Sequence, residues 1–285
     1  MTPAQILTHE QERVTQNAPE IRIFWHLVGS DEDHLVSLME CLFNCPPMDL
    51  RAIPQLHLHG SPVIDAGGVF RDKVNRLFQQ LLDSKDILEN DLSTGCLLFC
   101  EYEDSLQYAS RQKQYSVLGT IFYWFVFIHR FVPYPLTLHP AIIAYAIYGY
   151  VPYSVLAKAV PSIAPIIRNI ESYTILTSLD EIHDDVLTWL DTINYSKESF
   201  LADLHDRHRG AQYLSRELGT RVIMGKRKEA FDMFRNGYRK MLGFISVYLS
   251  SCYLLMDSVC SSSSLTFCKI ILLLLAIWLS KLTTT

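Results

Sequence analysis

From Val117 to Phe131 the chain is almost wholly apolar, with Ile121, Phe122, Trp124, Phe125, Phe127 and Ile128, and charge enters only at His129-Arg130. A run of that length is short for a bilayer span, which needs roughly 20 residues, and it has no polar stripe to turn toward water. It predicts a helix buried on all sides, so the rest of the chain must supply a sizeable core around it. Pro133 and Pro135 end the run, and Pro140 opens a second apolar helix through Ile142, Ile143, Tyr145 and Ile147 to a terminal Gly149. Two buried helices in a hairpin are the expectation.

The 285 residues, 49% of them hydrophobic, can form that core in one large or two small domains, so disorder is not the default. Net charge is only -5, and its distribution says more than its size. The seven cysteines are an odd number and Met1 to Asn17 is polar rather than signal-like, which points to reduced thiols and a cytoplasmic chain. Cys41 with Cys45 and Cys96 with Cys100 stand four apart, but neither pair has a second pair or a histidine at ligand spacing. Core thiols are expected there, with no metal and no cofactor. His57 and His59 share a strand face without a third ligand and read as an ordinary exposed edge.

Ile21 to Val28 is either a strand or a buried helix turn. Ser30 is an N-cap with Asp33 three residues on, and Leu35, Leu38, Met39, Leu42 and Phe43 recur at helical spacing until Cys45-Pro46-Pro47. Alternation around Leu56 and Leu58 predicts a short strand closing at Gly60, and a second is expected around Val63. Asp65 is then a cap and Gly67-Gly68 a tight turn before a helix carrying Val74, Leu77, Phe78, Leu81 and Leu82. No G-x-G-x-x-G or G-K-[ST] accompanies the glycines, so a structural turn is favoured over a phosphate cradle. Asp83 to Gln114 reads as polar turns around one short strand at Leu97. Pro152, Pro161, Pro165 and Asn169 limit the next stretch to short helices, after which Ser178 opens a helix with Leu179, Ile182, Val186, Trp189, Leu190 and Ile193 on one face and His183-Asp184-Asp185 on the solvated side.

Three stretches resemble the N-lobe of HECT-type ubiquitin ligases, in the expected order and over about Leu56 to Leu242. The first is Asp65-Ala66-Gly67-Gly68-Val69-Phe70-Arg71-Asp72 before an amphipathic helix, although Lys73 stands where the family carries an aromatic. The second is the apolar hairpin with its Pro-Leu link and terminal Gly149. The third is Phe231-Asp232-Met233-Phe234-Arg235-Asn236-Gly237-Tyr238. The resemblance implies an α+β, mostly helical, bilobal body with short strands over 51–242, after a lead-in over 1–50. It implies a smaller subdomain within about 150–205 that docks a ubiquitin-conjugating enzyme, with Leu176, Leu179 and Trp189 as docking candidates and ubiquitin itself as a further partner. It also makes Asp65, Gly67, Gly68, Arg71, Phe234 and Gly237 structural signature residues.

In the family a Thr-Cys pair in a following lobe accepts ubiquitin as a thioester, and this sequence contains no such dipeptide. Its nearest approach, Thr266-Phe267-Cys268, has apolar neighbours that would raise a thiol pKa, so no residue takes the catalytic role. The expectation is a truncated family member that recruits a conjugating enzyme without autonomous ubiquitin transfer. The tail 243–285 is apolar, and 265–282 falls just under bilayer length, which makes it either a membrane anchor or non-native translation. The competing expectation is thus a tail-anchored helical membrane protein with no ubiquitin role. From His205 to Lys240 ten Lys and Arg face four Asp and Glu, a local charge of about +6, yet apolar Ala230, Phe231, Phe234, Tyr238 and Met241 share that helix. A solvated face is favoured over a nucleic-acid surface.

Overall fold

In a computed structural model of the chain, the described residues are 24–46, 49, 54–58, 68–92, 94–124, 138–173, 179–206 and 210–240. They are mostly helical with a few short strands. Two compact units result, one from 1–87, 109–136 and 233–285, the other from 88–108 and 137–232. The predicted strand near Val63, the Gly67 turn, the second half of the central apolar run and the tail beyond Lys240 lie outside the described residues.

The first unit begins with strand β1 (Phe24–Leu27), helix α1 (Asp31–Asn44) and strand β2 (Gln55–Leu58). The strands pair in parallel, Trp25 opposite Leu56 and His26 opposite His57, which requires a crossover, and α1 is that crossover. Of the two readings left open for the first apolar run, the strand is the one adopted. Leu27 and Leu56 turn inward while Phe24, His26 and His57 face solvent. The predicted cap of α1 is a complete capping box: Asp33 N–H donates to Ser30 Oγ at 3.4 Å, and Ser30 N–H donates to Asp33 Oδ2 at 2.8 Å. At its other end Lys240 Nζ donates to the Phe43 carbonyl at 2.5 Å, a cation placed where the helix dipole favours one. Burial lowers that ammonium's pKa, and burial also pushes the nearby Cys45 thiol up to about 11, which suits an inert core thiol.

Helix α2 (Gly68–Leu82) buries Phe70, Val74, Leu77, Phe78 and Leu81, the stripe its spacing predicts. Lys73, which departs from the resembled family, is buried too, and its ammonium pairs with Asp31 at the start of α1. Lys73 first, and then Arg76, holds the Asp31 carboxyl down at about 2.

In the second unit, strands β3 (Leu88–Asn90) and β4 (Leu97–Phe99) form an antiparallel hairpin. β4 was expected; β3 is an addition, since Glu89-Asn90-Asp91 reads as turn until β4 offers it a ladder. Helix α3 (Ser105–Ser110) was likewise read as a polar turn and passes from the second unit into the first. Helix α4 (Gln112–Tyr123) is the central apolar helix; it starts five residues before Val117 because Tyr115 is already fully buried. Helix α5 (Pro140–Tyr148) has its proline at N1 and ends at Gly149 with φ 81, a left-handed cap that glycine adopts without strain. Short helices α6 (Tyr153–Ala159) and α7 (Ala164–Ser172) follow between the predicted breakers. The single helix expected from Ser178 is a correction. A 3₁₀ turn (Leu179–Glu181) stops, and helix α8 (Asp184–Thr192) starts afresh, because His183, at the N-cap position, has a non-helical backbone (φ -55, ψ 136). Helices α9 (Lys197–His205), α10 (Gly210–Met224) and α11 (Lys228–Lys240) complete the order, with a 3₁₀ turn at Gly225–Arg227. α10 is the spine of the second unit and packs on α6, α7 and α9.

Candidate functional site

Helices α7, α8 and α10 form the wall of the second unit, and their inward residues are Ile167, Ile170, Val186, Leu190, Leu214 and Leu218. The segment joining α7 to α8 carries Leu176 and Leu179. Its two ends are pinned together: His183 N–H donates to the Tyr173 hydroxyl at 3.0 Å and the two rings stack at 6.4 Å. Burial raises the Tyr173 phenol pKa, so the hydroxyl keeps its proton and remains a neutral clasp.

The sequence-predicted docking residues fall differently on this frame. Leu176 lies outside the described residues, and Leu179 opens the 3₁₀ turn inside the pinned segment. Trp189 is 7% exposed and shares the buried side of α8 with Val186 and Leu190.

Of the signature residues, Asp65 and Gly67 are outside the described residues. Gly68 and Arg71 are exposed at the start of α2, and a Cβ on Gly68 would meet nothing within 4 Å. Phe234 and Gly237 have a concrete structural part. Within the first unit α11 lies against α4 at a crossing formed by Gly119 and Gly237. A Cβ on Gly237 would overlap the Ser116 carbonyl oxygen and stand 2.6 Å from its carbon. One on Gly119 would overlap the Phe234 carbonyl and stand 2.9 Å from the Tyr238 nitrogen. The close approach lets Thr120 Oγ1 donate to the Gly237 carbonyl at 3.1 Å, and Phe122 packs at a tilt against Phe234 and Tyr238.

The basic strip loses much of its charge to carboxylates within the second unit. Arg227, 19% exposed at its side chain, reaches Glu101 at 2.7 Å and Glu89 at 2.8 Å, and its Nε donates to the Phe99 carbonyl at 2.7 Å. Lys226 pairs with Glu103, Lys228 with Asp232 and Arg221 with Glu217. The contacts of Glu89, Glu101 and Glu103 were not visible in the sequence, since each lies more than a hundred residues from its partner, whereas the Lys228–Asp232 and Arg221–Glu217 pairs stand at i,i+4 on their helices.

The difference between the two Arg227 and Lys226 sites gives a test. Arg227→Met keeps the stem but strands a carbonyl and two carboxylates, and is expected to cost roughly 1–3 kcal/mol. Lys226→Met removes an exposed pair and should cost under about 1 kcal/mol. Urea unfolding of both variants measures the contrast, and equal costs would contradict this account of Arg227.

Among the described residues no group of three or more His, Cys, Asp or Glu is arranged to hold a metal, and no helix is long and apolar enough to cross a membrane. No protein-family model matches the chain, and neither does any curated protein.

Proposed function

We propose that this chain works in the ubiquitin pathway as a HECT N-lobe-like protein that binds a ubiquitin-conjugating enzyme, with no residue of this sequence acting as the ubiquitin-accepting thiol. The observation that carries the reading is the order of the parts. A glycine-led amphipathic helix, a buried central helix and the Phe234-x-x-Gly237 helix belong to one unit. The chain between the last two, from 137 to 232, joins 88–108 from before the central helix in a second compact unit. The two units are read as counterparts of the larger and smaller subdomains of that lobe, and the second, which contains 150–205, as the docking subdomain. Leu176 and Leu179, on the segment pinned by Tyr173 and His183, are its docking side chains.

Titration of the full chain against a panel of ubiquitin-conjugating enzymes tests the reading. Saturable binding to at least one is expected. Leu176→Asp or Leu179→Asp should weaken it by about thirtyfold or more, as hot-spot residues do, with the helical circular dichroism unchanged. Trp189→Ala is a different kind of variant: it is expected to cost about 3–5 kcal/mol of stability through the core rather than through contact. No binding across the panel would remove the proposal.

A further inference from the structure

The outward face of the two-stranded sheet brings two histidines from distant parts of the sequence side by side. His26 on β1 is the register partner of His57 on β2, and their rings lie 5.1 Å apart at their centroids with 41° between planes. Both residues are exposed, and among the described residues neither ring takes part in a hydrogen bond or ion pair. Phe24 stands edge-on to His57 at 5.1 Å on the same face. The backbone beneath is fixed by the strand ladder and by the inward Trp25, Leu27 and Leu56.

This spacing has a chemical meaning. A tetrahedral metal ion bound to two imidazoles at about 2.0–2.1 Å holds the two ring centres roughly 5 Å apart, close to the separation already present. Two side chains on adjacent, paired strands need little reorganisation to chelate, whereas a lone exposed histidine gains no such advantage. Imidazole suits zinc, nickel and copper rather than magnesium or calcium, which take oxygen ligands. We propose that His26 and His57 form a cross-strand bis-imidazole site for a divalent transition metal ion. The remaining coordination positions face solvent and are filled by water. Because its ligands come from both strands, the ion ties β1 to β2 and stabilises the crossover unit that α1 completes.

The test is a calorimetric titration of Ni²⁺, chosen for its preference for imidazole, into the full chain and into His26→Gln and His57→Gln. Metal-free melting confirms that each variant folds; should a glutamine variant fail to fold, asparagine at that position replaces it. Each single variant is expected to weaken one binding site by about tenfold or more, and the double variant little further, because either change already breaks the chelate. Excess Ni²⁺ should raise the melting temperature of the parent but not of the variants. Binding unchanged in either single variant, or lost in only one of them, would overturn the cross-strand site.

Discussion

Replacing Gly237 with alanine is expected to destabilise the first unit by roughly 3 kcal/mol or more, at or above the usual cost of overpacking a core. The reason is the identity of the obstructing atoms. They belong to the Ser116 backbone on α4, so no side-chain rotation can make room, and the two helices must separate. Separation would also break the Thr120 to Gly237 bond and loosen Phe122 from Phe234 and Tyr238. Gly119→Ala meets the backbone of Phe234 and Tyr238 and should cost a comparable amount. The two changes act on one crossing, so the double variant should cost clearly less than their sum. Equilibrium urea unfolding measures all three. A loss below about 0.5 kcal/mol for Gly237→Ala, the scatter of ordinary surface changes, would contradict the crossing.

The second large effect is on acid stability. His139 is buried at the N-cap of α5, where Nδ1 accepts the Ala141 N–H at 3.1 Å and Nε2 faces Asp91 at 3.9 Å. An Nδ1 that accepts a hydrogen bond carries no proton, so the ring is neutral. Burial lowers its pKa from 6.5 to about 4, and the Asp91 carboxylate opposes this only in part. The unfolded chain therefore takes up a proton at a higher pH than the folded one. The neutral ring's contribution is complete above about pH 6.5, is lost as pH falls toward about 4, and changes no further below that. The loss across this window is about 3 kcal/mol. His139→Asn keeps a capping acceptor but cannot titrate, so its stability should fall less steeply between these pH values. Parallel slopes for parent and variant, measured by urea unfolding at each pH, would contradict the role given to His139.

Local chemistry accounts for what was readable in the sequence. The Ser30 and Asp33 pair, the Pro140 start and the Gly149 stop act within a few residues, and α1 and α5 begin and end where those residues dictate. The stripes of α2 and α11 are also local, being periodic. What escaped was made by distant partners. β3 has too little strand character alone and exists because β4 pairs with it. Lys73 reads as a surface residue until Asp31 is brought beside it, and Arg227 as part of a basic strip until Glu89 and Glu101 surround it. Trp189 shows the limit for the candidate site. Spacing put it on an apolar face, but whether that face meets the unit's own core or a partner depends on where α8 packs, which no local pattern encodes. The glycine crossing lies between these cases: Gly237 stands in the Phe-x-x-Gly motif and Gly119 near the head of the apolar run, but nothing local pairs the two.

The central claim, recruitment of a conjugating enzyme without acceptance of ubiquitin, is tested most directly with an enzyme already charged with ubiquitin as a thioester. The charged enzyme is mixed with the full chain, passed through gel filtration and followed on non-reducing gels. The account predicts that the charged enzyme co-elutes with the chain while ubiquitin stays on the enzyme. Separate elution, or a ubiquitin adduct on this chain that a reducing thiol removes, would contradict it.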